Sequence, residues 1–102
     1  MENADFALER TLNFRRAGML KQGKVTIGGI KFSTDENKWA CRVAIDYLWP
    51  EPVWLHAEDA LEAFRECLLF ASDVILGSTE DGWSVWWREE GDHGGLFYFI
   101  SQ

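Results

Sequence analysis

The stretch AEDALEAFRECLLFASDVILG, residues 57–77, decides how the rest of the chain must be arranged. Within it Ala57, Ala60, Leu61, Phe64, Cys67, Leu68, Ala71 and Ile75 recur at steps of three and four, which predicts one face of an α-helix. Glu58, Asp59 and Glu62 fall in the first turns, where negative charge meets the positive end of the helix dipole. Gly77 is suited to the left-handed conformation that closes a helix without a Cβ penalty. A helix over residues 57–76 spans about 30 Å at ~1.5 Å per residue, the length of a strand of about nine residues. Its apolar face requires a sheet to lie on.

The preceding chain supplies the strands. Phe6, Leu8, Leu12 and Phe14 alternate with Ala7, Glu9, Thr11 and Asn13, with Arg10 the one charge on the apolar side. Residues 17–23 read as a loop bounded by Gly18 and Gly23. In residues 24–32, Val25 and Ile27 point one way by alternation and Ile30 and Phe32 the other. A β-bulge at Gly28-Gly29 returns all four to one side and is preferred to a phosphate-binding loop. After a polar turn over residues 33–38, Trp39, Cys41, Val43, Ile45 and Tyr47 share one side of a third strand. Pro50 and Pro52 interrupt it, and Val53-Trp54-Leu55-His56 is a candidate fourth strand. Beyond Gly77, residues 83–87 alternate, 89–95 form an acidic glycine-rich turn, and Leu96-Phe97-Tyr98-Phe99-Ile100 pairs back as a hairpin.

The predicted fold is a single α+β domain over residues 1–102. An antiparallel β-meander of three to four strands packs on one long α-helix and is followed by a C-terminal aromatic β-hairpin. That hairpin either extends the sheet or folds against the helix flank formed by Ala63, Phe70 and Val74.

At 102 residues one domain with its own core is expected. The 47% apolar and 26% charged content is ordinary, but seven Phe, six Trp and two Tyr are not. No apolar run reaches the ~18 residues of a membrane span. The start, Met1-Glu2-Asn3-Ala4-Asp5, is unlike a signal peptide, so a cytoplasmic protein is expected. Cys41 and Cys67 fit a reducing compartment, both pointing into one core. The net charge of −7 is uneven. Residues 1–42 hold eight Lys or Arg against five Asp or Glu, and residues 43–102 hold two against twelve. Such acidity disfavours nucleic acid and suits a basic protein partner.

Catalytic signatures are absent from the sequence. There is no Gly-x-Ser-x-Gly, P-loop or dinucleotide fingerprint, and no CxxC or HxxxH spacing to hold zinc with His56 or His93. Glu89, Glu90, Asp92 and His93 form the most ligand-like cluster, but without the ligand order of a calcium loop. No cofactor is expected. The tryptophans say more. Trp86 opposes Trp87 in strand alternation, Trp54 sits between Val53 and Leu55, and Trp49 lies in a Pro-flanked corner. Some of these rings must stay partly exposed, and exposed rings beside charges anchor protein interfaces.

Trp39-Ala40-Cys41 and Asp59-Ala60-Leu61-Glu62-Ala63, after a meander that begins Glu9-Arg10-Thr11-Leu12, resemble a group of small bacterial sheet-plus-helix proteins. Size, charge and fold type further resemble the immunity proteins encoded beside secreted bacterial toxins. That resemblance implies a non-enzymatic cytoplasmic protein that neutralises a basic toxin by direct binding. The anchors expected are Trp54, Trp83, Trp86 and Trp87, with Glu80, Asp81, Glu89, Glu90, Asp92 and His93 around them. The alternatives are a homodimeric accessory domain with the hairpin as its seam, and small-ligand or metal binding by the 89–93 loop.

Overall fold

A five-stranded antiparallel sheet, curled into a half-barrel, holds one helix against its inner face. The computed structural model describes residues 4–96, with side chains from Ala7 onward. In chain order the elements are β1 (Ala4–Arg16), β2 (Met19–Ser33), β3 (Lys38–Ile45), β4 (Val53–Ala57), α1 (Ala60–Gly77) and β5 (Ser84–Trp86). The strand order is β4-β3-β2-β1-β5. Short 3-10 turns at Ser78–Asp81 and His93–Gly95 flank β5.

This corrects the expected meander of three to four strands: the sheet has five. β5 is three residues long and pairs with β1 through Asn13, Phe14 and Arg15, so it is the fifth strand of the one sheet. The thirteen-residue β1 leaves ladder groups open along its outer edge, and β5 takes them up. Past Trp86 the described residues, 87–96, form a loop with a short 3-10 turn. Of the expected strand over residues 96–100, only Leu96 lies among the described residues, and it is buried in the core.

The helix is also shorter than expected. Ala57 belongs to β4, opposite Trp39, and Asp59 caps the helix by accepting a 2.7 Å hydrogen bond from the Glu62 amide. At the other end Gly77 has a helical φ of −64° and does not terminate the chain's coiling. The Ser78 and Thr79 hydroxyls donate to the Ile75 and Leu76 carbonyls at 2.6 and 2.8 Å, carrying the chain into the 3-10 turn. Gly82, with φ +87°, supplies the left-handed residue that ends it.

Ala63, Cys67, Ala71 and Ile75 form the buried stripe of α1. Leu61, expected on that face, is 78% exposed, since it lies roughly 120° from Cys67 at ~100° per residue. Small side chains along the stripe let α1 approach the sheet, where Leu12, Phe14, Val25, Ile27, Cys41, Val43 and Ile45 complete the core. The Cys67 thiol donates to the Cys41 carbonyl at 3.3 Å, and both cysteines are fully buried. Contact with Cys41, then burial, raises the Cys67 pKa, so this thiol behaves as a packing group.

Two further features set the sheet's shape. Between Gly28 and Lys31 the β2–β3 register shifts, with Gly29 at φ +69°, and this bulge keeps Val25, Ile27 and Ile30 on the core side. The expected loop over residues 17–23 is instead a two-residue turn, Ala17-Gly18, both at positive φ as a tight hairpin requires. Met19, Leu20, Lys21 and Gln22 belong to β2 but show no burial alternation, because both faces of the hairpin tip are open. Among the described residues no helix is long and apolar enough to cross a membrane.

Candidate functional site

The ten residues singled out in the sequence fall into three places. Trp54 stands on β4, opposite Arg42, on the outer face of the sheet. The Lys31 ammonium lies 4.4 Å and the Arg42 guanidinium 5.7 Å from its ring centroid. β4 and β5 are four strand spacings apart, about 19 Å along the sheet at ~4.8 Å each, so Trp54 shares no patch with Trp86.

The second place is the end of β5 and the loop after it. Trp86 lies opposite Asn13, and the Arg15 guanidinium sits 5.0 Å from its ring. Arg15 in turn donates to both Glu90 carboxylate oxygens at 3.0 and 2.7 Å, a bidentate pair that holds the Glu90 pKa below its ordinary value. Trp87 points to the other face and carries two guanidinium groups, Arg10 at 3.5 Å and Arg88 at 3.9 Å. Arg10, the one charge on the apolar side of β1, also donates to the Gly94 carbonyl at 2.9 Å. Burial, then the Arg88 cation, lowers its pKa, against an opposing pull from Asp92.

Asp92 organises this loop. Its carboxylate accepts from the backbone amides of Trp87, Arg88, Glu89 and Gly94 at 2.8, 2.8, 3.1 and 3.0 Å. Burial alone raises its pKa, but the four N–H groups outweigh that, and the net shift is downward. Gly95 is required by close approach: a Cβ there stands 2.8 Å from the Trp87 ring and 3.0 Å from Arg10. The ligand-like appearance of residues 89–93 thus has a structural origin. Asp92 turns inward onto backbone, Glu90 is tied to Arg15, and His93 is half-buried at φ +49°. Among the described residues no three His, Cys, Asp or Glu side chains converge as metal ligands.

Glu80, Asp81 and Trp83 lead to the third place. Asp81 and Trp83 line an open groove of about 550 Å³, with exposed Glu80 in the same 3-10 turn. One wall is the α1 stripe Phe70, Asp73, Val74 and Gly77, spaced at helical steps. The other is Tyr47, Leu48 and Trp49 from the turn after β3, with Arg16 at the end. Of the α1 flank offered as one seat for the hairpin, Phe70 and Val74 line this groove and Ala63 is buried in the core.

No family model, curated protein or solved structure matches the chain. The groove has to be read from its own geometry.

Tyr47 is the piece sequence patterning misplaces. Alternation puts it in the third strand, but β3 ends at Ile45 and the chain turns sharply. Leu48 and Trp49 amides donate back to the Asp46 and Ile45 carbonyls at 2.7 and 3.2 Å, leaving Tyr47 at φ +65°. Positive φ is rare for a bulky residue and needs outside support. The Tyr47 hydroxyl donates to the Gln22 carbonyl at 2.7 Å, and its ring meets Phe14 edge-on at 5.0 Å. The ring also covers Gly23, where a Cβ stands 2.6 Å away, so β2 has a glycine at this point. Tyr47 and Trp83 lie nearly parallel with centroids 6.2 Å apart, while Trp49 meets Phe70 edge-on at 5.2 Å. Tyr47 and Trp49 remain 48% and 43% exposed.

Tyr47, Trp49, Phe70 and Asp73 are among the groove residues that sequence reasoning left out of its site. The signal available was Phe70 and Val74 at a four-residue step off the main helix face, with Asp73 between them. Only the turn after β3 brings Trp49 to that flank.

Proposed function

We propose that this is a non-enzymatic, cytoplasmic protein-binding domain, an immunity protein that neutralises a basic toxin by direct association. The observation that carries the reading is the groove. It combines exposed aromatic surface with carboxylates that have no ion pair among the described residues, in a chain of net charge −7. Aromatic anchors set the dissociation rate of such a complex, and the excess of negative charge speeds encounter with a basic partner. Trp83, Glu80 and Asp81 belong to the proposed contact surface at the groove. Trp86, Trp87, Glu90 and Asp92 are engaged within the chain, and their part in binding is to hold the β5 end of the sheet in shape.

The test is to co-express the chain with the product of its neighbouring reading frame. The expected result is relief of that product's toxicity and a one-to-one complex by sedimentation. Unrelieved growth arrest with no complex overturns the proposal. A second reading, self-association, draws on exposed Met19 and Leu20 at the β1–β2 tip. A pure protein that sediments as a monomer at every concentration counts against it.

A further inference from the structure

The tryptophans of this chain differ in one respect that bears on the groove. Trp54, Trp83, Trp86 and Trp87 each have a Lys or Arg of the same chain over the ring, between 3.5 and 5.7 Å from the centroid. Among the described residues Trp39 and Trp49 have none. Trp39 is half-buried, packed against the core and edge-on to Phe32 at 5.7 Å. Trp49 is the most exposed tryptophan described, and it opens onto the groove. Asp73 and Asp81 line the same groove and make no ion pair among the described residues. Their neighbours show that the corner suits cations: the Arg16 guanidinium lies 5.4 Å from the Trp83 ring and the Lys21 ammonium 5.3 Å from the Tyr47 ring. Among the described residues Arg16 is the only cation lining the groove, so the two carboxylates leave it with an excess of one negative charge.

We infer that the groove seats one arginine or lysine side chain from a protein partner, with its cationic head between the Trp49 ring and the Asp73 and Asp81 carboxylates. The inference rests on the binding-domain reading above and names the chemistry of its central contact. An indole face attracts a cation through its quadrupole, and nearby carboxylates add charge attraction in a partly desolvated groove. A groove open along one side admits a side chain carried on a loop, whereas neutral apolar groups gain nothing from the two carboxylates.

Gly77 provides a clean way to close the site. It is helical, and a Cβ there meets nothing within 4 Å, so the side chain of Gly77→Leu projects into the groove without disturbing the core. The probes are a capped Gly-Arg-Gly tripeptide and its citrulline counterpart, which keeps the shape and removes the charge. The readout is the set of indole N–H resonances, assigned with Trp→Phe variants. The arginine peptide is expected to shift Trp49 and Trp83 at millimolar concentration, the citrulline peptide at least tenfold less. Gly77→Leu and the double variant Asp73→Asn, Asp81→Asn abolish the shift while melting no lower than wild type. Equal response to citrulline, shifts confined to Trp54 or Trp86, or a response that survives both variants overturns the inference. Measured with the partner protein, undiminished binding by both variants removes the cation seat and leaves the binding-domain reading standing. Loss of partner binding by wild type, with the peptide shifts intact, does the reverse.

Discussion

The loop after β5 and the groove beside the end of α1 contain the same kinds of residue and use them in opposite ways. In the loop, tryptophan, arginine and carboxylate satisfy one another: Arg10 and Arg88 lie on Trp87, Arg15 grips Glu90, and Asp92 collects four backbone amides. At the groove, Trp49, Asp73 and Asp81 face open space without such partners among the described residues. A dense run of acids and aromatics in sequence is therefore no measure of readiness to bind. Short spacing accounts for Asp92, whose carboxylate reaches backbone amides two to five residues away at little entropic cost. Arg10 and Arg15 reach the loop from β1, the strand beside β5, whereas no basic strand residue pairs in this way with Trp49, Asp73 or Asp81 among the described residues.

The contrast predicts a large stability difference between two kinds of aspartate. Asp92→Ala leaves four backbone donors without their carboxylate and is expected to lose about 2–3 kcal/mol in urea unfolding. Asp73→Ala and Asp81→Ala are expected to stay within about 0.5 kcal/mol of wild type, as exposed groups without partners. Similar losses at all three positions erase the distinction. Acid sharpens it. Because the folded-state pKa of Asp92 is depressed, its contribution is complete above the unfolded value of about 4 and is lost as pH falls through the folded value. The gap between wild type and Asp92→Asn, followed by urea midpoints from pH 7 down to 2, should narrow only in that acidic window.

A second difference concerns glycine. Gly23→Ala pushes a methyl against the Tyr47 ring, Asp46 and Phe14, and about 1–3 kcal/mol of overpacking is expected. The displaced ring should also change tryptophan fluorescence through Trp83, its stacked neighbour. An unchanged midpoint and spectrum would show that Tyr47 is not held by this contact. Smaller still is the pair at the end of the helix. Gly77→Ala, at a helical φ with open space around it, should gain about 0.5–1 kcal/mol. Gly82→Ala, at φ +87°, should lose about 1 kcal/mol. Reversed signs in thermal melts would move the helix terminus back to Gly77.

Periodicity located several elements because one face of each is buried. Alternation from Trp39 to Ile45 marks β3, and the phase slip at Gly28-Gly29 marks a bulge, since a sheet with one apolar face cannot tolerate a register error. Where burial fails, so does the pattern. The hairpin tip from Met19 to Gln22 pairs through its backbone while its side chains face solvent, so it reads as loop. Leu61 fits the helical spacing yet is exposed, because α1 is seated by its small residues rather than its largest ones. The sheet's fifth strand was missed for another reason: β5 found the open edge of β1, seventy residues earlier in the chain, and no local pattern encodes that pairing.

The candidate site divides along the same line. Residues 80–83 were legible as an acidic and aromatic stretch, and three of them prove to lie at or beside the groove. Tyr47, Trp49, Phe70 and Asp73 were not legible as partners, since no two segments that carry them are near in sequence.

The amino-acid sequence on its own determined the net charge, the excess of tryptophan and the segments able to bury one face. Those are properties of composition and short-range period, and they survive any rearrangement of the chain. Tertiary structure alone decided which charges are neutralised from within and which remain open to a partner. Charge pairing depends on distance through space, and here that distance is set by a curled sheet and a left-handed tyrosine rather than by position along the chain.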